Sequence, residues 1–463
     1  MRGRVATITM EKGLSATLDK YRLIGRIVAL SRHDRWPRGT LLEYQARRLE
    51  DLRRFALARS PFYRRLHRGL DSAPLAQLPV LTKDQLMDAF DEVVTTPRIR
   101  LDRIREFAAT MSVADLFDGR YHVVATSGTT GNRGFFVFTK DEWRTLAMAS
   151  VARGLGWSGS NARASGRGVV MASTVPWHMT ARASAELQRV GLDAGRMSLD
   201  AGDPLDAIVE KLNRYQPTVM MVYPSVMQIL AAEQIAGRLK IAPSHIQCTS
   251  EVLTADARNA IEQAFGVAPS NLYAASECGC LAASCGQNDG LHISEDLLIV
   301  ECVDESHRPV PAGEMGAKTL VTVLSNRTLP LIRYELSDRI ALEPTACACG
   351  KPYARIRDIG GRQGDVLRLP GRDGVEIAIA PAQITACLRG SPVKLWQLRM
   401  TPDGLSIACV CAASEFQEAD IVGRLGACLA ASGARPLPVQ VSRIDHLERG
   451  VTGKSKLVTM LTR

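Results

Sequence analysis

Between residues 40 and 70, Leu41, Leu42, Tyr44, Leu49, Leu52, Phe55 and Ala56 recur at helical spacing with arginines between them. That period predicts a helix, and Ser60-Pro61 ends it. Thr82-Lys83-Asp84-Gln85 opens a second helix, with Thr82 as its N-cap. From residue 120 the pattern changes. Short apolar runs at 123–125, 168–172, 219–222 and 298–300 alternate with amphipathic stretches at 141–154, 181–190, 204–214 and 255–265. Alternation of this kind predicts an α/β chain. A turn-rich stretch, Gly360-Gly361-Arg362-Gln363-Gly364-Asp365 and then Pro370-Gly371-Arg372-Asp373-Gly374, marks a boundary. The remaining hundred or so residues suffice for a small α+β domain, with strands expected at 396–401, 405–411 and 438–443 and a helix at 415–432. The expected organisation is an N-terminal extension over 1–39, a large domain over 40–363 and a small domain over 364–463.

Composition changes this picture little. At 46% hydrophobic and 23% charged, the 463 residues read as an ordinary globular protein, without a disordered or collagen-like bias. No run approaches a membrane-spanning helix, and Met1 to Lys20 lacks the apolar segment of an export signal. The expected location is cytoplasmic, with no membrane partner. The formal charge of +10 includes Arg47-Arg48, Arg53-Arg54 and Arg64-Arg65, which read first as a solvated helix face and next as attraction for an anionic substrate or nucleotide. Only 5% of residues are aromatic, leaving few stacking platforms, so no nucleic-acid partner is expected. Eleven cysteines in such a chain are expected to be mostly reduced. None precedes Cys248, and their clustering points to metal binding or packing.

Candidate chemistry starts at Thr126-Ser127-Gly128-Thr129-Thr130-Gly131-Asn132-Arg133-Gly134, between the apolar runs 123–125 and 135–138. Glycines let backbone N–H groups close on an anion, and the hydroxyls add donors. No Gly-Lys-Ser/Thr follows, so it is not a Walker A loop; a plain hairpin turn is the alternative. The run resembles the phosphate loop of the adenylate-forming superfamily of acyl-CoA synthetases, adenylation domains and luciferases, Ser-Gly-Thr-Thr-Gly-x-x-Lys-Gly. Gly134 stands at the lysine position, and Arg133 lies one residue before it.

Further motifs follow in that superfamily's order. Tyr273-Ala274-Ala275-Ser276-Glu277 resembles Tyr-Gly-x-Thr-Glu, which implies Tyr273 against adenine, Ser276 near the α-phosphate and Glu277 on Mg2+. Arg333-Tyr334-Glu335-Leu336-Ser337-Asp338 resembles Arg-Tyr-x-x-Gly-Asp, with Asp338 on the ribose hydroxyls. Gly361 to Asp365 resembles the Gly-Arg-x-x-Asp hinge, with Arg362 on the ribose and Asp365 as pivot; Gly453-Lys454 resembles the terminal Gly-Lys, with Lys454 as catalytic cation. Ser250-Glu251 falls at the adenine-lining segment, and Trp177-His178 at the border of the acyl pocket, although a structural histidine is as good a reading there. The runs Ser60 to Tyr63, Leu78 to Lys83 and Cys347 to Gly350 resemble the phenylacetate–CoA ligase-like branch, which includes coenzyme F390 synthetase-like proteins. The resemblance implies a large domain of layered α/β sheets and a small mobile α+β domain.

Cys285, His292, Cys347 and Cys349 supply three thiolates and an imidazole, a ligand set for structural Zn2+, with Cys278 and Cys280 as substitutes. Four buried unligated side chains are the alternative. The resemblance implies ATP-dependent activation of a carboxylic acid, aryl or arylacetic by analogy, as an acyl-adenylate, then transfer to coenzyme A. Transfer to a carrier-protein thiol or a nitrogen nucleophile, and a non-catalytic nucleotide-binding protein, stay open. So does a homodimer.

Overall fold

The computed structural model describes residues 2–126, 133–159, 167–193, 195–362, 367–379, 381–388, 390–393, 395–445, 447–448 and 457–459. The expected elements Ser127 to Gly131, Asp365 and Lys454 lie outside the described residues.

Helix α1, Arg2–His33, precedes α2, Arg38–Arg59. Pro61 stops α2 where the sequence predicts, and Ser60 turns to cap the next short helix by accepting from the Tyr63 N–H. Helix α3, Lys83–Asp88, begins with the Thr82/Gln85 capping box. Strands β1 (Tyr121–Ala125) and β2 (Phe135–Thr139) form an antiparallel hairpin around the glycine-rich loop. After the short helix α4 (Lys140–Trp143) the backbone widens into a π turn at Arg144–Ala149, then resumes as α5, Ser150–Trp157.

The body is a nine-stranded sheet. Strands β3 (Gly168–Ala172), β4 (Met197–Asp200), β5 (Val219–Val222), β6 (His245–Thr249) and β7 (Ser270–Ala275) are parallel, and helices including α6 (Met179–Arg189) and α7 (Ala255–Phe265) separate them. The uninterrupted apolar runs of β3 and β5 suit strands covered on both faces. Strands β8 (Gly279–Ser284) and β9 (Leu291–Ile293) continue the sheet antiparallel. A separate sheet holds β10 (Leu298–Val303), β11 (Lys318–Val323) and β12 (Tyr334–Leu336). Strands β13 (Asp338–Glu343) and β14 (Arg355–Arg362) close the large sheet, in the order β13-β14-β9-β8-β7-β6-β5-β3-β4. The strand order reverses beside β3, because the chain runs outward to β4 and returns to β5. A crevice opens outside the carboxyl ends of parallel strands at such a switch point.

Residues 367–458 hold a core of their own, built on Leu369, Trp396, Leu398, Ile407 and Leu425. There, after the hairpin β15 (Leu367–Pro370) and β16 (Glu376–Ile379), β17 (Leu395–Thr401) and β18 (Gly404–Val410) pair with β19 (Val439–Ile444) and β20 (Val458–Thr459). Helices Pro381–Leu388 and Glu418–Ala431 pack together, and a disulfide joins Cys387 to Cys428; the other nine cysteines are free thiols.

Helix α1 is an integral part of the large core. Leu23 and Leu30 are buried in the main cluster, and Asp19 accepts from Arg144 at 3.0 Å and Arg189 at 2.7 Å. At its end His33 Nδ1 lies 2.7 Å from Asp296, which Arg153 grips with two bonds of 2.6 and 2.8 Å. A buried pair of this kind destabilises strongly when one partner is removed. No helix among the described residues is long and apolar enough to cross a membrane.

Candidate active site

The hairpin β1–β2 is pinned shut below its loop. Thr126 N–H donates to the Gly134 carbonyl at 2.9 Å, and Gly134 N–H donates to Thr126 Oγ1 at 3.0 Å. Thr126 therefore closes the neck of the glycine-rich loop. The chain leaving β3 at the switch point comes alongside: Ala125 N–H donates to the Trp177 carbonyl at 3.1 Å. The Arg133 guanidinium sits over the Trp177 ring, 4.3 Å from its centre. The sequence places Arg133 near a phosphate-binding position, whereas the structure stacks it on the aromatic residue expected to border the acyl pocket. His178, buried, stands at the N-terminus of α6.

Strand β7 carries the next group. Tyr273 Oη donates to Asp338 Oδ2 at 2.7 Å, across 65 residues of sequence. Asp338 opens β13 and pairs in register with Arg362 on β14, so three residues singled out in the sequence come together on the sheet. Past the end of β7, Glu277 is buried. Burial first, and the negative charges of Glu277 and Asp84 next, hold the Tyr334 hydroxyl well above its ordinary range. Ser276 lies between Tyr273 and Glu277, partly exposed. The tight turn back into β8 needs Gly279: its φ is +76°, and a Cβ there would stand 1.7 Å from the Leu146 carbonyl oxygen of the π turn.

Ser250 ends β6 in a left-handed conformation, φ +70°. Glu251 turns toward a neighbouring helix, where its Oε2 accepts from the Ser225 N–H at 3.0 Å. The following residues, Val252 and Leu253, wall a cleft of about 270 Å³ with Arg258, Asn271 and Ile359. Asn271 is two residues from Tyr273 and so on the same face of β7. Sequence reasoning missed Asn271, Leu253 and Ile359. Period-two alternation from Tyr273 carries the signal for Asn271; for Ile359 there is none, because its place depends on β14 returning to the sheet.

Arg333 has a different part. It is buried, with φ +49°, and its guanidinium binds Glu301 at 3.0 Å and the carbonyls of Ala76 at 2.9 Å and Leu78 at 2.6 Å. It clamps the strand-like segment ahead of α3 against the Tyr334 strand.

On the other side of the sheet, Cys285, His292, Cys347 and Cys349 converge, with all ligand atoms within 4.8 Å of one another. The Cys285 and Cys347 sulfurs are 3.7 Å apart, and Cys349 Sγ is 3.2 Å from His292 Nε2. Sulfurs of a zinc tetrahedron with bonds of about 2.3 Å stand about 3.8 Å apart, so the set fits that ion. His292 Nδ1 lies 3.4 Å from the Tyr353 carbonyl, which orients the ring as outer partners of ligand histidines do. Burial pushes His292 down to about 4, keeping its imidazole neutral. Cys278 and Cys280, the substitutes read from sequence, stay buried outside this group.

Residues 120–317 match the family model described as AMP-binding enzyme. The chain is similar to a phenylacetate–coenzyme A ligase of Thermus thermophilus, 27% identical over 382 residues and 77% of each chain. A phenylacetate–coenzyme A ligase of Pseudomonas putida is 29% identical over 273 residues, 56% of this chain and 57% of that one. Among solved structures, 2-hydroxyisobutyryl-CoA ligase in a postadenylation state superposes with a TM-score of 0.70, covering 93% of this chain and 91% of that one at 20% identity. The last comparison establishes a shared fold.

Proposed function

We propose that this chain, a member of the adenylate-forming superfamily, activates a carboxylic acid with ATP as an acyl-adenylate and passes the acyl group to the thiol of coenzyme A. The observation that carries the reading is the Tyr273–Asp338 hydrogen bond of 2.7 Å, which joins the adenine motif to the ribose motif at one end of the sheet.

A carboxylate is a poor acyl donor because oxide is its leaving group. Its oxygen attacks the α-phosphorus of ATP; the new O–P bond forms as the bond to the β-phosphate oxygen breaks, and pyrophosphate leaves with that electron pair. Positioning and charge neutralisation carry most of such a step. Tyr273 and the cleft beyond it take the adenine, and Asp338 and Arg362 take the ribose. The loop from Thr126 to Gly131 takes the phosphates. Glu277 would hold Mg2+, which would draw charge from the phosphates. Lys454 stabilises the pentavalent phosphorus. The thiol then attacks the acyl carbon, loses its proton, and AMP departs. Trp177 and His178 border the acid, and an aryl or arylacetic acid is the class favoured by the ligases this chain is similar to. We further propose that the hinge at Asp365 exchanges the two steps, and that Cys285, His292, Cys347 and Cys349 hold one structural Zn2+ that cross-links β8, β9 and the 347–349 turn.

The test is a panel of aryl, arylacetic and short aliphatic acids, followed for thioester formation with coenzyme A by mass detection. An acid-dependent acyl-CoA product with equimolar AMP is expected. Adenylate formed without thioester would replace coenzyme A with another acceptor.

A further inference from the structure

Helix α1 has two unlike faces. Leu23, Ile27 and Leu30 dock on the large core, and Asp19 fastens the same side to Arg144 and Arg189. The opposite face is also apolar, and it points to solvent. Leu18, Tyr21, Ile24 and Val28 are 49%, 68%, 38% and 47% exposed. At helical spacing they fall within one arc of about 120°. Eight large apolar side chains are exposed among the described residues, and these four are half of them, so the stripe is not ordinary surface scatter.

Cations surround the stripe. Arg22, Arg26 and Arg32 are exposed, and no Asp or Glu occurs between Lys20 and His33. Beside it, Arg22, Arg26 and Arg144 line a groove of about 330 Å³ with Gly25, Ala29 and Asp141. Three guanidinium groups meet two carboxylates there, Asp141 and Asp19, so the groove keeps a net positive charge. The bias extends beyond the helix. Residues 1–70 hold 17 Lys and Arg against 6 Asp and Glu, whereas the other 393 residues hold 41 against 42. The whole positive excess therefore sits in the N-terminal segment that carries the stripe.

We infer that the outer face of α1 is a docking surface for an anionic phospholipid bilayer, with the stripe entering the headgroup boundary and the groove taking a lipid phosphate. Apolar side chains between guanidinium groups are the composition of a helix that lies in the plane of a membrane interface. Tyr21 suits that depth, since its ring is apolar while its hydroxyl stays wet. A second copy of α1 fits less well, because it would set the same cations against one another with no acid between residues 20 and 33 to pair them. The attachment is peripheral, as no described helix is long and apolar enough to cross a membrane. It departs from the expectation of no membrane partner and is independent of the adenylation chemistry.

The test is co-sedimentation of the full chain with vesicles of phosphatidylcholine alone and of an equal mixture with phosphatidylglycerol. Wild type is compared with Tyr21→Glu/Val28→Glu, Arg22→Gln/Arg26→Gln and Arg22→Lys/Arg26→Lys, with thermal unfolding and light scattering alongside. Wild type is expected to bind the mixed vesicles at least about tenfold more tightly than the neutral ones, and less tightly as salt rises. Each of the first two variants should weaken that binding about tenfold or more with unfolding unchanged, and the lysine variant should keep most of it. Wild type that stays in solution with the mixed vesicles would overturn the inference. So would equal binding to both vesicles, or full binding in Tyr21→Glu/Val28→Glu. A wild-type dimer that the same variant makes monomeric, without vesicle binding, would assign the face to a second copy instead.

Discussion

Asp338 accepts from Tyr273 and begins β13 opposite Arg362, so its carboxylate is already oriented before a nucleotide arrives. One carboxylate can accept both hydroxyls of a ribose. Asp338→Ala should therefore raise KM for ATP about tenfold or more, with a smaller effect on kcat, in steady-state kinetics. An unchanged KM would remove Asp338 from the nucleotide site. Gly279 gives a prediction of a different kind. Alanine there meets a backbone carbonyl at 1.7 Å and a positive φ together. Gly279→Ala should cost about 2–4 kcal/mol in chemical denaturation, from overpacking plus backbone strain. A loss below about 0.5 kcal/mol would mean that the π turn yields easily.

Elements differ in how far the chain announces them. The strands at 168–172 and 219–222 and the helix at 255–265 are readable because each buries one uninterrupted apolar run or one stripe. Helix α1 is not, since its buried face is short, Leu23, Ile27 and Leu30, and charges such as Asp19 and Arg22 surround it. Its docking depends on Asp296, some 260 residues away, which no local pattern reveals. The π turn at Arg144–Ala149 hides inside a stretch that reads as one helix, because an extra residue per turn leaves apolarity intact. Strand β8 is rich in small residues without clear alternation, and β9 is only three residues long. Motifs survive better than elements: Tyr273, Glu277 and Asp338 are legible by their order, while Glu251 and Arg133 are set by neighbours that only the fold supplies. The four candidate metal ligands are legible as residue types, and the sheet brings their halves together by pairing Arg355 with His292. Metal analysis should give one zinc per chain, and Cys349→Ser should lower both zinc content and the unfolding temperature. Folded wild-type protein well below one equivalent would remove the site.

At the scale of the whole molecule, two buried histidines set an acid limit. His67 is pushed down to about 4, by burial first and Arg53 next, and His122 to about 2, by burial first and Arg182 next. Both are neutral in the fold and protonate near pH 6.5 once unfolded. The unfolded chain binds more protons below that value, so their stabilisation is complete above pH 6.5 and declines as pH falls toward 4. Each should contribute a slope of up to about 1.4 kcal/mol per pH unit in that window, and His122→Asn should flatten the curve. A wild-type stability independent of pH between 6.5 and 4.5 would contradict this. The separate core over 367–458 suits a domain that turns about Asp365. Asp365→Pro fixes φ at the proposed pivot, so pyrophosphate exchange should persist while thioester formation fails in a stably folded variant; equal loss of both would exclude rotation as the cause.

Acid-dependent exchange of label between pyrophosphate and ATP is the most direct measurement of the central claim, because it reports adenylate formation whatever the acceptor. Exchange should appear with at least one carboxylic acid in the wild type and fall by more than about tenfold, 1.4 kcal/mol, in Lys454→Ala, with ATP affinity largely kept. A wild-type chain that binds MgATP but exchanges with no acid, or a Lys454→Ala chain that exchanges as well as wild type, would contradict the account.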